Sequence, residues 1–242
     1  MASAAIFVGV MGVVTLLTAG DLLTRQLRQD LNPDDLAMQA VFVSPPGGSE
    51  LDNGAYLRAL EEVPGVTRVE GRAVQPLPWK LPGDDDFNDG FILAAWEPFD
   101  EMAIQPMRLL GEGRYPSEGL CEIAVEMLRA DRYGLNGGDS VVLRSATGDP
   151  EGEPWTITGL VFTPYASFDT MGMPVPGDAS IFATFEDARA LGGFAGFNTL
   201  YARYEDFPTA QAQADALFTA IAQETPYIAV FNYTDDPAES LY

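Results

Sequence analysis

The sequence predicts an α+β protein: an N-terminal membrane and stalk helix, then a split βαβ unit that carries an inserted β-rich subdomain. Three observations carry this. Residues 2–20 contain no ionised side chain. Strand–helix–strand patterns recur over residues 36–74 and 198–233, at opposite ends of the remaining chain. Between them, residues 106–194 read as short strands punctuated by glycine and proline. Two βαβ units flanking one insertion make a split, ferredoxin-like α/β sandwich. The expected boundaries are 1–33 for the helix and stalk, 34–105 with 195–242 for the split unit, and 106–194 for the insertion.

The nineteen uncharged residues 2–20 (ASAAIFVGVMGVVTLLTAG) just span a hydrocarbon core of ~30 Å at about 1.5 Å per residue. A secretory signal needs a basic start, which is missing before Ala4, and Thr18-Ala19-Gly20 is a poor cleavage site. A retained membrane helix is therefore favoured over a cleaved signal, and both over a buried soluble helix. Beyond Gly20, Leu23, Leu27 and Leu31 recur every four residues, so the helix continues as an amphipathic stalk until Asn32-Pro33 stops it. Arg25 and Arg28 favour a cytoplasmic side by themselves, but a large following domain translocates regardless of such charges.

Residues 36–43 (LAMQAVFV) form an apolar strand closed by Ser44-Pro45-Pro46-Gly47-Gly48. Residues 52–63 place Tyr56, Leu57, Leu60 and Val63 on one helical face after an Asp52 or Asn53 cap, and Pro64-Gly65 ends that helix. Residues 66–74 then alternate as a strand. Near the other end, 198–204 (NTLYARY) is a strand, 208–224 a helix with Pro in its first turn, and 227–233 the closing strand. Within the insertion the strands are expected at 122–125, 140–144, 155–161 and 180–183. The helices 126–133 and 185–191 stop at Gly134 and at Gly192-Gly193.

Thirty-six Asp and Glu against thirteen Lys and Arg give a formal charge of −23, and Lys80 is the only lysine. Such a surface repels phosphate backbones, which excludes nucleic-acid binding, and offers no basic patch for an anionic leaflet. The absence of histidine removes Ser-His-Asp and Cys-His nucleophiles and His-containing zinc sites. Cys121 alone forms neither an internal disulfide nor a thiolate cluster, and it reads as a small core residue. Paired-carboxylate hydrolysis stays open on composition, but no spacing selects a pair, so no catalytic residue is assigned. The run 83–90 (GDDDFNDG) fails as a calcium loop: counted from Asp84, the sixth residue is Asp89 rather than Gly and the twelfth is Ala95 rather than Glu. It reads as a solvated turn, and neither metal nor cofactor is expected. Residues 161–177 gather Tyr165, Phe168, Met171 and Met173 among turn formers. They pack on their own subdomain, which Pro174 and Pro176 favour, or present an adaptable apolar surface to a partner.

The stretch 111–144 (GEGRYPSEGLCEIAVEMLRADRYGLNGGDSVVLR) resembles a pattern of the extracytoplasmic core domain of MacB/FtsX-type ABC-transporter permeases. That pattern runs G-R-x-P, an E-I-A-V-like strand, a short helix and G-L-x-x-G-D-x-V-x-L. Residues 155–161 (WTITGLV) and 181–188 (IFATFEDA) are similar to its following elements. The resemblance covers residues 4–242 and its motifs are architectural. It implies a porter-type split subdomain, no enzyme activity and no cofactor. The implied partners are a cytoplasmic ABC ATPase, a second permease subunit and an extracytoplasmic protein, lipid or peptide substrate. Leu23, Leu27 and Leu31 would face a partner helix and couple stalk movement to export, to lipoprotein or lipid extraction, or to signalling. Such permeases carry three further membrane helices and a charged segment before the first. The sequence has neither, so a fragment or a truncated gene is expected. The rival reading is a membrane-anchored or secreted extracytoplasmic binding module unrelated to transport.

Overall fold

The computed structural model describes residues 31–44, 53–96, 98–145, 149–165, 180–193, 195–224 and 228–240. The apolar run 2–20, Leu23, Leu27, Phe168, Met171 and Met173 lie outside them. Among the described residues no helix is long and apolar enough to cross a membrane. The first elements are β1 (Gln39–Ser44), α1 (Asn53–Glu61), β2 (Val66–Lys80), β3 (Asn88–Trp96), β4 (Arg108–Leu110), β5 (Glu122–Glu126) and α2 (Met127–Tyr133). There follow β6 (Ser140–Leu143), β7 (Glu153–Phe162), β8 (Ile181–Thr184), α3 (Phe185–Gly192), β9 (Thr199–Tyr204), α4 (Phe207–Ala212), α5 (Ala214–Glu224), β10 (Ile228–Thr234) and α6 (Pro237–Ser240).

Four antiparallel strands, ordered β10-β1-β9-β2, bring the two ends of the chain into one sheet. Gln39 lies opposite Thr234 on one side and Ala202 on the other, so β1 runs between the two strands of the C-terminal unit. Leu60 of α1, Ala210 of α4 and Leu217 and Ile221 of α5 join one buried cluster with Val41, Val43, Leu200 and Ala202 of the sheet. Burial of such apolar side chains is the main stabilising contribution, at about 1.5–3 kcal/mol each. Ala37, Ala40, Ile104 and Tyr201 form a smaller cluster. In β1, Gln39, Ala40 and Val41 are consecutive and fully buried, which means that both faces of the strand are covered.

Six strands, β2 among them, close on themselves, and β4 adds to β7 outside this ring. β2 pairs with β3, β3 with β8, β8 with β5, β5 with β7, β7 with β6, and β6 returns to β2 through Leu143 opposite Trp79. This six-stranded ring is filled by Trp79 stacked on Phe91 at 4.0 Å, with Tyr133 of α2 edge-on to Trp79 at 4.7 Å. Closure leaves those six strands without a long free edge.

Among the described strands only β2 belongs to both systems. Residues 66–72 pair with β9, 73–79 with β3, and 79–80 with β6, so residues 73–78 face a gap on one side. Alternate residues of a strand point the same way, and here they are Val74, Pro76 and Pro78. The Val74 N–H donates to Asn198 Oδ1 at 2.9 Å, and Asn198 Nδ2 donates back to the Val74 carbonyl at 2.7 Å. The two prolines have no N–H to satisfy, and Pro78 O accepts from the Arg144 N–H at 3.0 Å. The strand expected at 66–74 therefore continues to Lys80, because Pro76 and Pro78 leave no donor facing the gap. The split also places residues 73–96 in the ring with the middle strands.

Two strands, β3 and β4, were absent from the sequence reading, and the expected helix 208–224 breaks at Gln213 into α4 and α5. Gln39 and Asn232 both donate to the Ala214 carbonyl just after that break, at 2.9 and 2.8 Å. The turn 81–87 lies between β2 and β3, with Asp84, Asp85 and Asp86 exposed. Cys121 corrects the expectation of a core residue: it is exposed, at φ 50, immediately before β5. The 111–144 motif has a plain structural basis. Gly113 and Gly159 approach so closely that a Cβ on Gly113 would stand 2.7 Å from the Gly159 Cα. Arg114 makes a bidentate pair with Glu122, one contact being 2.7 Å from Nη1 to Oε2. The bond from Arg114 holds the Glu122 carboxyl below its ordinary range.

Replacing Asn198 with alanine leaves the Val74 N–H and carbonyl facing the gap without partners. Asn198→Ala should destabilise the protein by about 2 kcal/mol, seen as a lower urea midpoint at unchanged slope.

Candidate functional site

A 3-10 turn at Pro33–Asp35 connects the segment carrying Leu31 to β1, and four elements converge on it. Its own geometry is capped locally: the Asn32 side-chain oxygen accepts from the Asp34 N–H at 3.1 Å, and proline occupies the first position, where no N–H is needed. From β9, Arg203 Nη1 donates to the carbonyls of Pro33 and Leu36, both at 2.7 Å, and Nη2 donates to Asp34 Oδ1 at 2.8 Å. Burial pulls the Arg203 guanidinium down from its ordinary value, against the opposing pull of Asp34.

The second clamp is Tyr165, which stands just past β7 and is 4% exposed. Its hydroxyl accepts from the Asn32 N–H at 3.0 Å and donates to Asp35 Oδ2 at 2.8 Å. Burial, the largest cause, pushes this hydroxyl up to about 12. The Asn32 N–H opposes the shift and Asp35 adds to it.

The third clamp is the segment before β4. The Gln105 N–H donates to the Asp35 carbonyl at 2.7 Å, from a backbone held at φ 47. Two buried charges of β2 fix that segment in turn. Glu70 Oε2 accepts from the N–H groups of Ala103 and Ile104, at 3.2 and 2.7 Å. Arg72 Nη2 donates to the Ile104 carbonyl at 2.7 Å, and Nη1 to Gln105 Oε1 at 3.3 Å. The Arg72 guanidinium lies 4.4 Å from the Tyr201 ring centroid and 4.0 Å from Glu70. Buried charges persist only when paired and hydrogen-bonded, and this pair uses its bonds to hold a loop.

The fourth element is the end of the chain. The Asp235 N–H donates to the Met38 carbonyl at 3.0 Å, and α6 packs beside the Pro33–Asp35 turn. The points where the described chain enters and leaves the domain are therefore adjacent.

Of the residues singled out from the sequence, Leu31 and Tyr165 are brought together here. Leu31 is half-buried and directly precedes Asn32, the residue Tyr165 holds. Arg203, Glu70, Arg72 and Gln105 escaped sequence reading. The available signal was an arginine, a glutamate and another arginine inside otherwise apolar strands, at positions where charge is rarely buried without a partner. Among the described residues no group of three or more His, Cys, Asp or Glu is placed to hold a metal ion. Although Cys121 is exposed, partial desolvation and the nearby Asp187 and Glu153 push its thiol up, which makes it a poor nucleophile.

No family model matches the chain, and no curated protein matches it. Solved structures do. The chain is similar to the extracellular domain of the noncanonic ABC-type transporter YknZ from Gram-positive bacteria, at 13% identity and a TM-score of 0.52, covering 81% of this chain and 98% of that one. It is similar to the periplasmic region of MacB from Actinobacillus actinomycetemcomitans at 9% identity and a TM-score of 0.52, covering 88% of this chain and 96% of that one. The fold is that of a MacB-type extracytoplasmic domain. Within this MacB-type fold, the junction at residues 32–36 is where the N-terminal segment meets both the four-stranded sheet and the ring.

An unfolded tyrosine ionises near pH ~10, and the folded Tyr165 value is raised. Its contribution is therefore complete below about pH 10 and is lost as pH rises through about 12. The melting-temperature advantage of the natural protein over Tyr165→Phe should shrink steadily across that window. A difference that stays constant through it would remove Tyr165 from the junction's energetics. Arg203→Ala should expose the Asp35 carbonyl region and raise amide hydrogen exchange at Gln105 well above that at Ile157 in the ring.

Proposed function

We propose that the chain is the extracytoplasmic domain of an ABC-transporter permease. It passes ATP-driven movement of the stalk to a substrate or partner outside the membrane. The observation that carries the coupling reading is the junction. A lever works only if it is clamped to what it moves, and the turn after the stalk is held by Arg203, Tyr165 and Gln105 from three separate elements. The chain's exit beside its point of arrival supports the same reading, because both ends then face one side.

In this reading residues 2–20 sit in the membrane and the folded part lies on the extracytoplasmic side. ATP hydrolysis belongs to a cytoplasmic ATPase subunit, and a second permease subunit supplies the opposing stalk. No residue of this domain performs chemistry. Leu23, Leu27 and Leu31 face the partner stalk, and stalk movement reaches the four-stranded sheet through Arg203 and the ring through Tyr165. The cargo is an exported substrate, an extracted lipoprotein or lipid, or a signal delivered to an outer partner.

The test uses the complete transporter. Leu27→Ala with Leu31→Ala removes packing of about 2–5 kcal/mol per buried leucine, and Arg203→Ala with Tyr165→Phe releases the clamp. Both pairs should lower transport per ATP by about tenfold or more while ATP hydrolysis continues, and Asp30→Ala should change little. Normal transport per ATP in both pairs would make the leucine stripe a membrane-exit helix only and overturn the coupling role.

A further inference from the structure

Away from the junction, a cleft of about 340 Å³ opens where three chain segments meet, 98–100, 115–118 and 184–186. We propose that it is a docking site for an arginine-bearing segment of a partner polypeptide. The site goes beyond the transport reading and rests on the cleft alone, so its failure leaves that reading unaffected.

The walls are built in advance of any ligand. The rings of Phe99 and Tyr115 lie parallel within 1°, with centroids 5.3 Å apart. Tyr115 is fixed by its hydroxyl, which donates to the Met107 carbonyl at 3.1 Å. The 115–118 wall is tied down by the Ser117 N–H to Glu122 Oε2 at 3.0 Å, and by the Gly119 N–H to Asp187 Oδ1 at 2.9 Å. Pro98 and Pro116 extend the apolar surface beside the rings. A volume of this size takes one or two side chains, not a folded domain.

Charge selects the occupant. Asp100, Glu118 and Glu186 stand around the two rings. Glu186 is paired with Arg189 at 2.7 Å, whereas Asp100 and Glu118 make no ion pair among the described residues. A guanidinium is planar: it stacks on a ring face while its edge donates to a carboxylate, and its alkyl stem lies on proline. An ammonium also sits over a ring face, as Lys80 does over Phe87 at 4.6 Å, but it has no plane to lie flat on the ring and no fork to bring to a carboxylate, and an anion is repelled. Acid density alone does not distinguish this place, because the turn at Asp84–Asp86 is as acidic, but its ring, Phe87, is already covered by Arg144 at 4.2 Å and Lys80 at 4.6 Å. The distinguishing feature is acid joined to a rigid aromatic floor.

The test uses the full 242-residue chain in lipid nanodiscs and three probe peptides. These are N-acetyl-Ala-Arg-Ala-amide, the same peptide with the neutral isostere citrulline, and the same peptide with lysine. Binding is followed by amide chemical shifts. The arginine peptide should bind about tenfold more tightly than the citrulline peptide, the ratio expected from one cation–π and carboxylate contact. Asp100→Asn with Glu118→Gln should abolish that preference. Asp84→Asn with Asp86→Asn changes the net charge equally and should leave binding within about twofold. Tyr115→Leu, which keeps every carboxylate, should weaken the arginine peptide several-fold more than the lysine peptide. Equal binding of the arginine and citrulline peptides, or of the arginine and lysine peptides, overturns the proposal. So does equal weakening by the two double variants, which would reveal general attraction to an acidic surface.

Discussion

β2 has to serve two sheets, and the rest of the architecture depends on how it does so. A strand that leaves one partner before reaching the next exposes its backbone between them, and each unsatisfied buried N–H costs about 1–3 kcal/mol. Here the exposed positions are Val74, Pro76 and Pro78. One is satisfied by the two-way bond to Asn198, and two have no donor to satisfy. Because that gap is stable, residues 66–72 can hold the four-stranded sheet while residues 73–80 help close the ring.

The same strand supplies Glu70 and Arg72 just before the change of partner. Their burial would be unfavourable without the Ala103, Ile104 and Gln105 contacts, and those contacts give a loop without regular structure a defined position. That position presents the Gln105 N–H to Asp35. The junction is thus a consequence of how β2 is built. Arg203 stands opposite Arg68 across the β2–β9 pair and completes the clamp from the neighbouring strand. Arg203 uses two donor nitrogens on three acceptors, a geometry that a lysine cannot reproduce.

The acidic character plays different parts in different places. At the junction, Asp34 and Asp35 are matched to Arg203 and Tyr165. In the 111–144 motif, Glu122 is matched to Arg114 and Asp187 to the Gly119 N–H. On the turn 81–87 the carboxylates face water. In the Phe99–Tyr115 cleft they stand beside aromatic rings, and two of the three make no ion pair among the described residues.

By itself the sequence determined the elements whose signals are local. The helix stops at Gly134 and Gly193 are left-handed at φ 68 and 67, as glycine there implies. The terminal strands and helices follow from their periodicity, and the motif glycines from close backbone approach. The ring strand β3 and the short β4, which pairs with β7 outside the ring, were not legible. β3 reads as part of an acidic loop until its apolar half begins, and β4 has only three residues. The junction was legible in part, since Leu31 and Tyr165 both stood out, but for separate reasons. Tertiary structure alone joined them: Tyr165 is 133 residues from Asn32, and Arg203 is 169 residues from Asp34. No periodicity reports a hydrogen bond over such separations. It exists because the closed ring and the shared strand bury Tyr165 and most of the Arg203 side chain against the turn, where its backbone and carboxylates are the partners within reach.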